Sequence, residues 1–185
     1  MSKIGKKPIN TAGVQVTIKG NEIHYKGKNH SGVYNLPSYM TARLDNEKLF
    51  IEKKAGARVE NCVWGLHRAL IANALVGAVQ SFERAIEING LGFKAALTGN
   101  SVQFTLGYTH KITLELPKEV KLVIDKTGQK LTFTSFDKQK LGQICALVRS
   151  LRPPEPYKGT GIKYTEEIIR KKAGKAKAGA EGAPQ

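Results

Sequence analysis

The sequence predicts an α+β fold of two tandem duplicated modules, each a mostly antiparallel sheet covered by a helix, plus a basic C-terminal extension. Three observations predict it. Residues 14–75 and 93–151 carry the same motifs in the same order, short period-two runs fill each half, and one helical stripe closes each half. "VQVTIKGNEIHYKG" (14–27) resembles "FKAALTGNSVQFTLG" (93–107), with Gly20-Asn21 matching Gly99-Asn100. Leu36-Pro37 matches Leu116-Pro117, "KLFIEK" (48–53) matches "KLTFTS" (130–135), and "WGLHRALIANAL" (64–75) lines up with "LGQICALVRSL" (141–151). Two copies are too few for a solenoid, which needs at least about three repeats to bury a core.

Each element follows from its local pattern. In the second half Val102, Phe104 and Leu106 alternate with Gln103 and Thr105, and Ile112, Leu114 and Leu116 alternate with Lys111, Thr113 and Glu115. Val120, Leu122 and Ile124 do the same, so all three runs read as strands with one packed and one wet face. The Gly-Asn pairs and "DKTGQK" (125–130) are turn chemistry that joins antiparallel neighbours. Over 137–152, Leu141, Ile144, Cys145, Val148 and Leu151 form one helical stripe, with Asp137 placed to cap the start and Pro153 to stop the end. Val63, Leu66, Leu70, Ala74 and Gly77 repeat that stripe in the first half. The expected boundaries are 1–81, 82–152 and 153–185, the last belonging to the C-terminal domain. Both cysteines, Cys62 and Cys145, lie in apolar stretches and are expected as buried free thiols.

The charge narrows the function. Thirty Lys and Arg oppose fifteen Asp and Glu in 185 residues, a formal charge of +15, and no part of the chain is acidic overall. Such a surplus repels itself unless a polyanion neutralises it. No apolar run reaches the roughly 20 residues of a bilayer span, and the basic N-terminus is not followed by the apolar segment of a secretory signal. A cytoplasmic protein without a membrane role is therefore expected. Catalytic motifs do not emerge either. Gly90, Gly92 and Ala95 spell G-x-G-x-x-A, but strands follow where a dinucleotide site needs a crossover helix, so a glycine turn is expected. Phe93 alone is too little for an aromatic RNA-stacking sheet. His110 reads as a surface or structural residue rather than a general base. No P-loop or metal spacing occurs, and neither a cofactor nor a small-molecule substrate is expected.

The stretch "RPPEPYKGTGIKY" (152–164) is the most informative. Pro153, Pro154 and Pro156 stiffen it, and preorganisation lowers the ordering cost of binding. Tyr157 and Tyr164 offer flat faces for an unstacked base or a sugar, while Lys158, Lys163, Arg149 and Arg152 supply phosphate contacts. Gly159 and Gly161 allow close approach of a phosphate backbone to main-chain N–H groups. A second reading stands beside this one: the prolines only stop the helix and the tyrosines only pack. "TEEIIRKK" (165–172) reads as a short helix capped by Thr165, with acids in its first turn and bases in its last. The Lys-, Ala- and Gly-rich stretch over 171–185 cannot bury a core and reads as a basic arm.

"MSKIGKKPI", "GLHRALIANAL", "GLGFKA", "LGYTHK", "DKQKLGQ" and "LRPPEPYKGTGIKY" occur in that order, and together they closely resemble the bacterial large-subunit ribosomal protein L-six family over essentially the whole chain. The resemblance implies a non-enzymatic protein of two similar α+β domains that binds large-subunit rRNA mainly through the C-terminal one. It implies a place near the sarcin–ricin loop and the stalk base, beside neighbouring large-subunit proteins and the docking site of translational GTPases. Carried over by position, the implied rRNA contacts are Tyr157, Lys158, Gly159, Gly161 and Lys163, with Arg170, Lys171, Lys172, Lys175 and Lys177 beyond them. Arg149 and Arg152 join the set from the preceding helix. Two positions depart from the family pattern: Thr160 stands where the family usually has Lys, and Lys111 where it commonly has Pro. The rival classes are an RNA-modifying enzyme with a basic surface and a polyanion binder that uses charge alone.

Overall fold

The structure is a computed structural model that describes residues 3–54, 56, 60–172 and 174. It is α+β, with antiparallel sheets and few helices. The chain divides into two compact units, Met1–Glu83 with Thr134–Gly142, and Arg84–Phe133 with Gln143–Gln185.

The first unit holds α1 (Lys3–Lys6), β1 (Ile9–Asn10), β2 (Gln15–Lys19), β3 (Glu22–Lys26), β4 (Ser31–Asn35), β5 (Met40–Asp45), β6 (Lys48–Lys53) and α2 (Asn61–Val79). The strands form two three-stranded sheets, ordered β2-β3-β4 and β1-β6-β5. Gly20 takes a φ of +59° to make the tight turn between β2 and β3, a conformation that costs glycine nothing. Ile9, Ile23, Leu36, Met40, Leu49, Ile51, Trp64, Ile71 and Leu75 make the core. The Trp64 indole N–H donates to the Ile51 carbonyl at 2.8 Å, which gives a buried polar handle its partner.

The face of α2 differs from the expected stripe. Trp64, Ile71, Leu75, Gly77 and Ala78 are buried, whereas Leu66 is 54% exposed. Apolar residues surround this helix on nearly all sides, so a spacing of three and four does not single out one face. By length and composition α2 could cross a bilayer, but its Trp64, Ile71 and Leu75 pack into this unit's core. Cys62 is exposed rather than buried, because it stands in the first turn of α2 beside the Glu60 carboxylate at 3.2 Å. Cys145 is buried as expected, and burial pushes its thiol up to about 11.

The later elements are β7 (Phe82–Asn89), β8 (Lys94–Thr98), β9 (Ser101–Thr105), β10 (Ile112–Glu115), β11 (Val120–Ile124), β12 (Lys130–Ser135), α3 (Lys138–Leu151) and β13 (Gly161–Tyr164). They form a three-stranded sheet, β10-β9-β8, and a four-stranded one, β11-β12-β7-β13. Cross-strand pairing sets Ala95 against Phe104 and Phe104 against Ile112, which puts the alternating apolar residues on one face. Val102, Phe104, Leu106, Leu131, Phe133, Cys145 and Val148 are almost wholly buried. The Asp137 carboxylate accepts the N–H groups of Gln139 at 2.8 Å and Lys140 at 3.3 Å, so α3 starts at the residue expected to cap it.

The same local bonds recur in both halves. The Leu36 N–H donates to the Asn21 carbonyl at 2.8 Å, and the Leu116 N–H to the Asn100 carbonyl at 3.0 Å. Met40 bonds back to Pro37, and Val120 to Pro117, each at 3.0 Å. Gly90 and Gly92 turn the chain between β7 and β8 with positive φ, as a glycine turn requires. Phe93 is buried at 8% exposure and offers no face for stacking RNA.

Candidate nucleic-acid interface

The last turn of α3, the loop 152–160, β13 and the strap 165–172 form one continuous segment of the second unit. Pro153 cannot continue α3, which ends at Leu151. The loop closes on itself: the Glu155 N–H donates to the Thr160 carbonyl at 2.9 Å and the Gly159 N–H to the Glu155 carbonyl at 3.0 Å. The chain then enters β13, an edge strand paired antiparallel with β7, with Ile162 opposite Ile88 and Lys163 opposite Glu87. Ile162 has no exposure, and a fully buried isoleucine contributes about 2 kcal/mol to holding the strand in place.

An exposed sheet edge presents unpaired N–H groups, and both outward ones of β13 are satisfied. The Ile162 N–H donates to the Arg152 carbonyl at 2.8 Å, and the Tyr164 N–H to the Glu167 carboxylate at 3.3 Å. Beyond β13 the chain turns and runs back to the loop, where the Lys172 N–H donates to the Pro156 carbonyl at 2.9 Å. The helix expected over 165–172 is absent: the residues form a turn followed by a strap without regular secondary structure. Eight residues are marginal as an isolated helix, and here the Glu167 side chain reaches back to Tyr164 while Lys172 is tied to Pro156.

The cations of this segment fall into two groups. Arg149 places both arms of its guanidinium on Glu167, with Nε donating at 2.8 Å, a bidentate geometry. The bond to Arg149, more than any other influence, holds the Glu167 carboxyl below the usual carboxylate range. Lys163 pairs with Glu87 at 3.2 Å, both half-buried. Arg152 donates to the Leu106 carbonyl and lies 4.8 Å from the Phe93 ring centre and 5.2 Å from that of Tyr108. Tyr164 is half-buried with the Arg84 guanidinium 4.3 Å from its ring centre, so that ring is already covered by a cation.

The second group is open. Tyr157 is 54% exposed, and Lys158, Arg170, Lys171 and Lys172 are exposed. Among the described residues, none of these four cations lies within ion-pair distance of a carboxylate. A shallow cleft of about 470 Å³ runs between loop and strap, lined by Lys158, Gly159, Lys163, Lys171, Asn89 and Glu167 among others. Gly159 is buried with φ of +74°, and a Cβ there would meet the Lys171 side chain at 3.5 Å. Gly161 is buried against Pro153 and Pro154 and serves packing. Lys175 and Lys177 lie outside the described residues.

The structure therefore brings Lys158, Gly159, Lys163 and Lys171 together around one cleft, leaves Tyr157 exposed next to Lys158 in the loop, and gives Arg149, Arg152 and Tyr164 internal partners. Sequence reasoning missed Glu87, Asn89 and Glu167. Glu87 is legible as an opposite charge across a strand pair only once the pairing of β7 with β13 is known. In the sequence Glu167 reads as a helix-dipole acid.

Comparison with known proteins identifies the family. A family model described as "Ribosomal protein L6" matches residues 89–165, from the end of β7 to just past β13. The "Large ribosomal subunit protein uL6" of Beijerinckia indica is 39% identical over 178 residues, covering 96% of this chain and 100% of that protein. The protein of the same name from Campylobacter concisus is 41% identical over 176 residues, 95% of this chain and 98% of its own. That of Anaeromyxobacter dehalogenans is 40% identical over 179 residues, 96% and 99% respectively. With about 40% identity to these relatives over nearly the full length of both chains, and a family match that takes in the loop, the chain belongs to the ribosomal protein L6 family, a family of structural ribosomal proteins and not of enzymes.

Proposed function

We propose that this chain is a structural constituent of the large ribosomal subunit in the cytoplasm, and that it binds large-subunit rRNA mainly through its second unit. In this reading it sits near the sarcin–ricin loop and the stalk base, beside neighbouring large-subunit proteins, where translational GTPases dock. The observation that carries the RNA-binding part is the set of open cations, Lys158, Arg170, Lys171 and Lys172, displayed beside the exposed Tyr157 on a frame whose own charges are paired. Phosphate contacts set affinity and position, and an exposed ring is suited to an unstacked base or a sugar. Lys175 and Lys177 extend the same basic segment. Lys163 and Gly159 remain part of the surface as its floor, Gly161 as packing beneath the loop, and Arg149 and Arg152 as its supports. We further infer that the two halves descend from one duplicated module, a reading supported by the matched Gly-Asn turns and the matched Leu36 and Leu116 bonds.

Affinity for transcribed large-subunit rRNA, measured across a salt series, tests the reading. Replacing Lys158 and Lys171 together by Ala weakens binding and lowers the slope of log affinity against log salt by roughly 1.5, the share of two phosphate contacts. Unchanged affinity and slope contradict it. Equal affinity of the parent protein for unrelated RNA and DNA would favour the charge-only reading instead.

A further inference from the structure

We propose that Glu167 is a positioning residue for the anion-binding surface: by joining Arg149 to the Tyr164 N–H, it sets the strap 165–172 against the loop so that Lys158 and Lys171 line one cleft. The proposal rests on the rRNA reading above and goes beyond it by assigning a role to an acid inside a cationic surface.

A free carboxylate at this place would repel phosphate. Paired with the Arg149 guanidinium, its charge is cancelled locally while its hydrogen bonds remain. Glu167 has three ties: its carboxylate takes both arms of Arg149, the same carboxylate accepts the Tyr164 N–H at 3.3 Å, and its own N–H donates to the Tyr164 carbonyl at 3.0 Å. The strap is next tied at Lys172, through the bond to Pro156. Between those points lie Ile168, Ile169, Arg170 and Lys171. Ile168 is 95% exposed and only Ile169 is half-buried, so apolar burial adds little to the polar ties that hold the strap. The Thr165 N–H also donates to the Ala85 carbonyl at 3.2 Å, which fixes the start of the strap to β7, and the tie at Glu167 is the one that joins it to α3.

The consequence runs against simple electrostatics. Glu167→Gln raises the net charge by one, and Arg149→Gln lowers it by one, yet both break the same link. If position governs binding, both variants weaken affinity for transcribed large-subunit rRNA by a similar factor, roughly three- to ten-fold, the scale of re-ordering a few freed side chains. Amide exchange in the free protein then quickens at residues 168–172 while β9 stays protected. The exchanged pair Arg149→Glu with Glu167→Arg restores much of the affinity.

Opposite shifts in the two single variants would show that charge alone is read, and a loss confined to Arg149→Gln would show direct contact by Arg149. Either result overturns the proposal. Should a single variant lose its fold, the exchanged pair decides: restored affinity supports the link, and a folded pair that still binds weakly overturns it. The Lys158→Ala Lys171→Ala protein separates this claim from the one beneath it. Weak binding there with normal binding in both link variants overturns the role of Glu167 alone, whereas normal binding in all three overturns the rRNA reading of the loop as well.

Discussion

At Gly161 the backbone φ is +137°, and a Cβ would lie 2.6 Å from the Pro153 carbonyl oxygen and 2.8 Å from the Pro154 Cα. Neither neighbour can swing aside, since both are backbone atoms of a proline pair. Gly161→Ala is therefore expected to destabilise the protein by about 1–3 kcal/mol, seen as a fall in melting temperature of roughly 3–10 °C. A melt within a degree of the parent would contradict the packing role. The sequence made Gly159 and Gly161 visible as a pair but not their division of labour, because that depends on which neighbour each one meets. The same holds for Lys163, which sits on a half-buried ion pair with Glu87, and for Arg149, committed to Glu167. A cation's availability is decided by the acid opposite it, and here those acids are 76 residues before Lys163 and 18 residues after Arg149 in the chain.

Elements with a clear period were legible. In α3 the apolar spacing, the Asp137 cap and Pro153 agree, and the helix forms with Leu141, Cys145 and Val148 buried. Asp137→Ala removes the acceptor for two N–H groups of the first turn and is expected to cost about 1 kcal/mol in a urea titration. No change in the unfolding midpoint would mean that water replaces the cap without loss. In α2 the pattern left several faces open, and tertiary packing made the choice. β13 carried no strand signal of its own, because its four residues become a strand by pairing with β7 far earlier in the chain. The strap was misread for a related reason. Its local acid-then-base order suits a helix, but long-range ties at Thr165, Glu167 and Lys172 hold it in an irregular path.

Across the whole molecule, the +15 charge says only that a polyanion is expected. Position supplies the rest. The basic residues near the loop divide into those that build the frame and those that are open to a partner. The frame cannot be removed to test the loop, because deleting residues from Pro153 onward would also delete β13, with its buried Ile162, from the four-stranded sheet. Point changes on the full chain are the sharper tool. The most direct test is chemical footprinting of large-subunit rRNA at moderate salt, comparing the parent protein with Lys158→Ala Lys171→Ala. A discrete protected site that fades in the variant while its melt is unchanged is the result expected if loop and strap carry recognition. The same protection in both proteins would contradict that claim and place recognition elsewhere on the chain.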